Sequence, residues 1–471
     1  MKKVFVSGSF NILHPGHLRM LKFAKSLGDK LVVGVYSDKL AGPAAYVKER
    51  IRLEGVKSNN YVDDAFIINY SPEKIIAKIK PNFVVKGKEF ENKENIEKKI
   101  LKKYGGKLVF SSGEITFSSL DIINKKIQKT INNNKKIITT YLDRHHINKE
   151  TILKKIKNFK NSKILVIGDT IVDEYIDCQS LGASEEDASL VVMPLNQKKY
   201  LGGAGIVAAH CANLGAKVNF FSIVGHDPEA RFIKDKLKEY KVISKIFLDS
   251  SRPTTHKKRY RSGNKTLLRV STLHKNLIDL NLQKKIFLSI KKVIKKFDLI
   301  IFSDFNYGCL PQALVDKITL EAKKYGIILI ADSQSSSQIG FIDRFKDVDL
   351  ITATEKEARI ATKNFSDGLV IISDNLKKTT NSKSVIIKLA SEGILINSGK
   401  EFWKTDRIPA LNNNPIDVAG AGDSFLSAIS LSFTSGMNIW EASYVGSVAS
   451  AIQINNLGNN PLSYEDLIKN I

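Results

Sequence analysis

Short apolar runs separated by helical repeats recur along this chain, and no other feature narrows its fold as much. Lys3–Val6, Lys30–Tyr36, Asn82–Val85 and Lys107–Phe110 are apolar runs of strand length. Between the first two, Pro15–Leu27 places Leu18, Leu21 and Ala24 on one side of a helix. Such alternation predicts a parallel sheet with helices on both faces, an α/β fold. A second series opens at Lys163–Asp169 and continues through Val218–Ile223, Leu299–Ser303, Ile327–Asp332, Asp349–Ile351 and Val385–Lys388. Residues 127–162 interrupt the pattern with a Lys-, Asn-, Ile- and Thr-rich stretch. Within it Ile152, Ile156 and Phe159 fall at i, i+4 and i+7, which predicts one amphipathic helix. The expected division is a first domain over 1–126, a linker with a leading helix over 127–162, and a second domain over 163–471.

Bulk properties exclude several classes. No apolar stretch approaches the ~18–20 residues of a membrane span. The three cysteines, Cys178, Cys211 and Cys309, are far apart and make neither a disulfide framework nor a metal-ligand spacing. Free buried thiols and a cytoplasmic setting are expected. The net charge of +25 raises the question of nucleic acid. The lysines are spread along the chain at helix-surface spacing, which argues against that partner. A basic surface also draws in sugar phosphates and nucleotides.

Two constellations carry chemistry. The first follows the first strand, where Gly8, Phe10 and the run His14-Pro15-Gly16-His17 lead directly into a helix. A helix N-terminus offers free N–H groups and a partial positive charge, so it attracts phosphate. Gly16 lets a phosphate come close, and two histidines three apart can face the charge that develops on an α-phosphate. The alternative role for such a pair is helix capping or packing. The order strand, Gly-containing turn, His-x-Gly-His, helix resembles the cytidylyltransferase-like nucleotidyltransferase superfamily. Arg50, Tyr61-Val62-Asp63, Val84-Val85-Lys86-Gly87 and Phe117-Ser118-Ser119-Leu120 extend the resemblance. It implies a Rossmann-like domain, with His14 and His17 catalytic and Gly8, Phe10, Gly16, Arg50, Lys86, Ser118 and Ser119 at nucleotide and phosphate. Three residues depart from the pattern: Asn11 stands for Asp, Leu120 for a hydroxyl residue, and Ala41 for Lys.

The second constellation is Asp417-Val418-Ala419-Gly420-Ala421-Gly422-Asp423, followed by a long apolar run. Small residues before a helix expose amides to a transferring phosphate, and an Asp there can take the proton of an attacking hydroxyl. The alternative is a Gly-rich turn with an Asp cap. This run resembles the signature of the ribokinase-like, PfkB-type carbohydrate kinases. Leu201-Gly202-Gly203-Ala204-Gly205, Gly168-Asp169 with Asp173, Thr354-Glu355-Lys356-Glu357, and Lys388 to Gly393 match further motifs in the family's order. The resemblance implies Asp423 as base and Gly420, Ala421, Gly422, Lys388 and Gly393 at the nucleotide. It further implies Asp173, Gly202 and Gly203 at the sugar, and Glu357 organising Mg²⁺, indirectly. Pro253 to Arg259 resembles a strand of the heptose-7-phosphate kinases, in which Lys257 and Arg259 would hold a distal phosphate. An exposed basic strand is the alternative. Ile206, Thr354 and Ser333-Gln334 depart from the family pattern at the places of an Asn, an Asn and a Pro-Lys pair.

The expected architecture is a Rossmann-like nucleotidyltransferase domain followed by a ribokinase-like α/β domain. Known enzymes with both halves carry the kinase first, so the order here is the reverse. The resemblances imply a bifunctional enzyme of nucleotide-activated sugar synthesis. It would phosphorylate a heptose 7-phosphate-like sugar with ATP and couple a sugar 1-phosphate to ATP or CTP, with Mg²⁺ at both steps. The alternative is an active nucleotidyltransferase whose kinase-like domain senses sugar or nucleotide. Both families commonly dimerise, so a homodimer through an exposed sheet edge is expected.

Overall fold

A computed structural model of the chain describes residues 2–11, 13, 15–42, 45–87, 95–111, 137–187, 189–263, 265–335, 340–399, 403–412 and 414–471. The chain divides into two compact units, Met1–Asn133 and Asn134–Ile471. Among the described residues no helix is long and apolar enough to cross a membrane.

The first unit holds β1 (Lys3–Gly8), β2 (Lys30–Tyr36), β3 (Asp64–Ile68), β4 (Phe83–Gly87) and β5 (Lys107–Ser111). They form one sheet in the order β3-β2-β1-β4-β5, with every pairing parallel. Parallel strands need crossovers, and helices covering both faces explain why β1 and β2 are apolar almost throughout. Helix α1 (Pro15–Ser26) leaves the end of β1 and packs Leu21 and Ala24 into the core with Val4, Val6 and Val33. Helix α2 (Glu49–Lys57) follows β2.

The second unit opens earlier than the sequence pattern suggests. Residues 137–144 form a helix, α3, and Lys149–Ile156 a second, α4, where one helix was expected. Ile152, Ile156 and Phe159 are fully buried in the core of this unit, so the predicted amphipathic face is real and belongs to it.

Its main sheet contains β6 (Lys163–Gly168), β9 (Lys217–Val224), β10 (Ile243–Leu248), β13 (Leu299–Asp304), β14 (Ile328–Ser333), β15 (Leu350–Thr354), β16 (Ser384–Lys388), β17 (Ile394–Asn397) and β18 (Thr405–Ile408). Their order is β10-β9-β6-β13-β14-β15-β16-β17-β18. The strands from β10 to β16 are parallel, and β17 and β18 close the edge antiparallel. All six residues of β13 are buried, as its place in mid-sheet requires. A separate sheet, in the order β12-β11-β7-β8, is built from β7 (Thr170–Ala183), β8 (Leu190–Gly203), β11 (His256–Ser262) and β12 (Lys265–Thr272). Helices α5 (Ala204–Asn213), α6 (Glu355–Thr362), α7 (Ala421–Thr434) and α8 (Ile439–Gln453) then bring the site together.

Candidate active site

In the first unit the turn after β1 is held by two polar anchors. Asn11, one of the departures from the family pattern, is buried, and its Oδ1 accepts from the amides of Tyr46 at 3.1 Å and Val47 at 3.3 Å. Arg52 is buried and spans three segments. It donates to the carbonyls of Val47 and Ser9 and to Asp38 Oδ1, each at 2.6 Å. The guanidinium fork makes such a brace possible. The sequence reading singled out Arg50 two residues earlier. Arg50 is exposed on α2, and Arg52 is the arginine that shapes this end of the sheet.

Phe10 has a left-handed backbone, φ 48°, and its ring is buried in the core against His17, with centroids 5.2 Å apart. Its side chain therefore packs, and any contact with a ligand falls to its backbone. His17 lies in the first turn of α1, as does Gly16. Lys86, on β4, pairs with Glu97 at 2.8 Å. Gly8 ends β1. His14, Ser118 and Ser119 lie outside the described residues.

In the second unit, Gly420 caps α7 with φ 79°, and a Cβ there would lie 2.1 Å from Asn459 Oδ1. Only glycine fits this turn. Asp423 sits in the first turn of α7, buried, where the helix dipole favours an anion. Burial raises its carboxyl to about 6, and nearby Asp332 adds to the rise, against the pull of Gln334 and Lys388. Gln334 Nε2 donates to Asp423 Oδ1 at 2.8 Å.

Lys388, at the end of β16, pairs with Asp332 Oδ1 at 2.5 Å, and Thr352 Oγ1 donates to the same oxygen at 2.6 Å. Burial pulls the Lys388 ammonium down, but Asp332, Glu357 and Asp423 push it up further, so it is held charged. A Cβ at Gly422 would stand 3.5 Å from Lys388 Nζ, so this glycine faces the same centre. Glu357 is buried on α6. Its Oε1 accepts from the Ser335 amide and its Oε2 from the Thr354 amide, both at 2.7 Å. Thr354 Oγ1 returns a bond from the Glu357 amide, which completes a capping box. Threonine thus keeps the helix start that the family's Asn would make.

Gln334, Glu357, Lys388 and Gly422, with Phe425 and Ile454, line a cavity of about 910 Å³. Gly393 shapes one wall. Its φ is 92°, and a Cβ would lie 2.0 Å from the Ile408 carbonyl oxygen.

The smaller sheet carries the residues predicted for the sugar. Asp173 on β7 pairs with Arg259 on β11. A Cβ at Gly202 would meet Asp173 Oδ2 at 2.4 Å, and one at Gly203, φ 60°, would meet the Asp169 carbonyl oxygen at 2.4 Å. Arg259 also lies over the Tyr175 ring, 5.2 Å from its centroid. Lys257 is buried, with its ammonium 5.5 Å from the Phe305 ring centroid and 5.2 Å from that of Tyr307. Neither cation is the exposed basic residue of the alternative reading.

Ile206, which stands at the place of the family's Asn, is fully buried in the main core. Two further positioning residues carried no separate sequence signal. Tyr175 Oη donates to Asp417 Oδ2 at 2.8 Å, and Asp417 Oδ1 accepts from the Ala419 amide at 3.1 Å, which ties the small sheet to the turn before α7.

Residues 161–465 match the profile described as pfkB family carbohydrate kinase. The chain belongs to the pfkB family of carbohydrate kinases. Residues 5–149 match a cytidylyltransferase-like profile. The chain thus carries a carbohydrate kinase domain and a nucleotidyltransferase-like domain, the make-up of an enzyme. It is similar to the bifunctional protein HldE of Helicobacter hepaticus, 30% identical over 66% of this chain and 64% of that one. HldE of Nitratiruptor is 28% identical over 65% of this chain and 64% of its own. The chain spans 64% of the length of these relatives.

Among solved structures, ribokinase of Thermotoga maritima superposes with a TM-score of 0.52 at 21% identity, covering 66% of this chain and 99% of that one. Phosphofructokinase-2 of Escherichia coli gives 0.53 at 15%, covering 65% and 97%. These likenesses establish a ribokinase-like fold for the second unit, after a Rossmann-like first unit.

Proposed function

We propose that the kinase unit transfers the γ-phosphate of ATP to a hydroxyl of a sugar phosphate resembling heptose 7-phosphate. In the same reading the first unit couples a sugar 1-phosphate to ATP or CTP and releases pyrophosphate. The observation that carries the kinase reading is Asp423, held at the start of α7 next to Gly422, which with Lys388 lines a cavity of nucleotide size. Asp423 takes the proton of the sugar hydroxyl as its oxygen attacks the γ-phosphorus, and ADP leaves. The amides of the Gly420–Gly422 turn meet the charge on the transferring group. This arrangement favours a working kinase over a sensor.

Magnesium fits with one adjustment. No group of three metal-binding side chains converges among the described residues, and both oxygens of Glu357 are held by amides. Asp332 Oδ2 is buried without a partner among the described residues, which leaves it available to an ion carried in on the nucleotide phosphates. Mg²⁺ would offset phosphate charge there. Asp173 and Gly202 would face the acceptor sugar, with Lys257 and Arg259 behind them.

The reversed domain order is part of the reading. A 318-residue match has the length of one kinase domain rather than of two domains in series. So is a homodimer, for which the exposed Leu195, Leu268 and Val270 of the small sheet offer apolar surface, and sedimentation tests it. Mass spectrometry after incubation with MgATP and heptose 7-phosphate tests the acceptor. A heptose bisphosphate supports the reading. Its absence, with ADP formed on another sugar, moves the acceptor.

A further inference from the structure

Residues 137–144 fall within the stretch that matches the cytidylyltransferase-like profile, 5–149, yet they pack inside the kinase unit, 134–471. Their contacts converge on two elements. Tyr141 is buried, and its Oη donates to the Trp440 carbonyl at 2.9 Å. His145, just past the helix, stacks on the Trp440 ring with centroids 4.1 Å apart and planes 12° apart. His145 Nε2 also lies 2.8 Å from Asp406 Oδ2. Arg144 Nη1 donates to that same oxygen at 2.5 Å, and its guanidinium sits 5.4 Å from the centroid of Trp403.

Asp406 belongs to β18, and Trp440 to α8. Both elements run on into the cavity wall. Pro409, Ala410 and Leu411 follow β18 directly, and Ser447, Ala451 and Ile454 lie further along α8. Helix α3 therefore bridges two elements whose continuations line the cavity.

We propose that α3 and His145 act as a clamp that sets the width of the nucleotide cavity, with Tyr141, Arg144 and His145 as positioning residues for ATP. This rests on the reading that the cavity takes ATP. Loosening the clamp weakens nucleotide binding and leaves Asp423 and its surroundings untouched. The expected signature is a raised KM for ATP with kcat unchanged.

The chain contains two tryptophans, and both, Trp403 and Trp440, sit in the clamp. Tryptophan emission of the full chain therefore arises at this contact. The experiment is a titration with Mg²⁺ and a non-hydrolysable ATP analogue, followed by emission and by calorimetry. Heat that survives in a Gly422→Ala chain is subtracted as binding to the first unit. The clamp predicts a saturable emission change with the calorimetric Kd. It also predicts that Tyr141→Phe and Arg144→Ala raise that Kd by about 2- to 30-fold, the span of ordinary coupling through packed contacts. Arg144→Lys, which keeps the charge beside Asp406, recovers part of the loss. Binding by calorimetry with flat emission and wild-type affinity in both variants overturns the clamp and leaves the ATP reading standing. Absence of any heat beyond that of the Gly422→Ala chain overturns the ATP reading and the clamp with it.

Discussion

The side-chain amide of Gln334 donates to Asp423 Oδ1 at 2.8 Å across 89 residues of sequence. A glutamine amide has two donors and its own acceptor, so this bond fixes the carboxylate's orientation without neutralising it. Gln334→Leu removes a contact that lowers the Asp423 pKa. The acid limb of the kinase pH–rate profile should therefore move to higher pH in the variant.

The same carboxyl sets the pH dependence of the wild-type chain. Asp423 must be ionised to accept a proton, and burial followed by the Asp332 charge places its titration at about 6. Phosphorylation should hold level above that value and fall as pH drops through it. Asp423→Asn should lower turnover by about 10²–10⁴-fold, the range for loss of a general base. Sugar-dependent ADP release checks both.

Glycines 420 and 422 should fail in different ways. A Cβ at Gly420 meets Asn459 Oδ1 at 2.1 Å on a left-handed backbone, so Gly420→Ala lowers the melting temperature. A Cβ at Gly422 meets nothing closer than 3.5 Å and points toward Lys388. Gly422→Ala should melt like the wild type and lose ATP affinity. Thermal melting beside calorimetry separates them.

Lys388→Met leaves Asp332, fully buried, without its counter-ion. Removing one partner of a buried pair costs about 3–5 kcal/mol. Urea unfolding should show a lower midpoint with an unchanged slope.

The parallel strands were readable because each is a short apolar run between helical repeats, and β2 begins and ends at its predicted residues. The Gly-rich turns were readable because few residues tolerate their backbone. The small sheet was not. In β8 the residues Leu190–Lys199 are exposed or half-buried on both faces, so no period-2 alternation marks the strand. The Thr354–Glu357 capping box is legible as a Thr-x-x-Glu spacing. The depth of Ile206 was not legible, because a motif position says nothing about burial, and Ile206→Asn would bury an amide in an apolar core. The bond from Gln334 to Asp423 joins residues that only the finished fold brings together.

The chain leaves the large sheet at Gly168 and returns through Gly203, where the Ala204 amide donates to the Asp169 carbonyl at 2.9 Å. The excursion between those points is β7 and β8, a closed detour whose two ends meet. Asp423, Lys388 and Glu357 come from elements outside it. On the proposed reading, Asp173 and Gly202 of the acceptor side and the phosphate machinery are thus written in separable stretches of the gene. The detour can drift, lengthen or be exchanged for a relative's while the machinery beneath it is inherited unchanged.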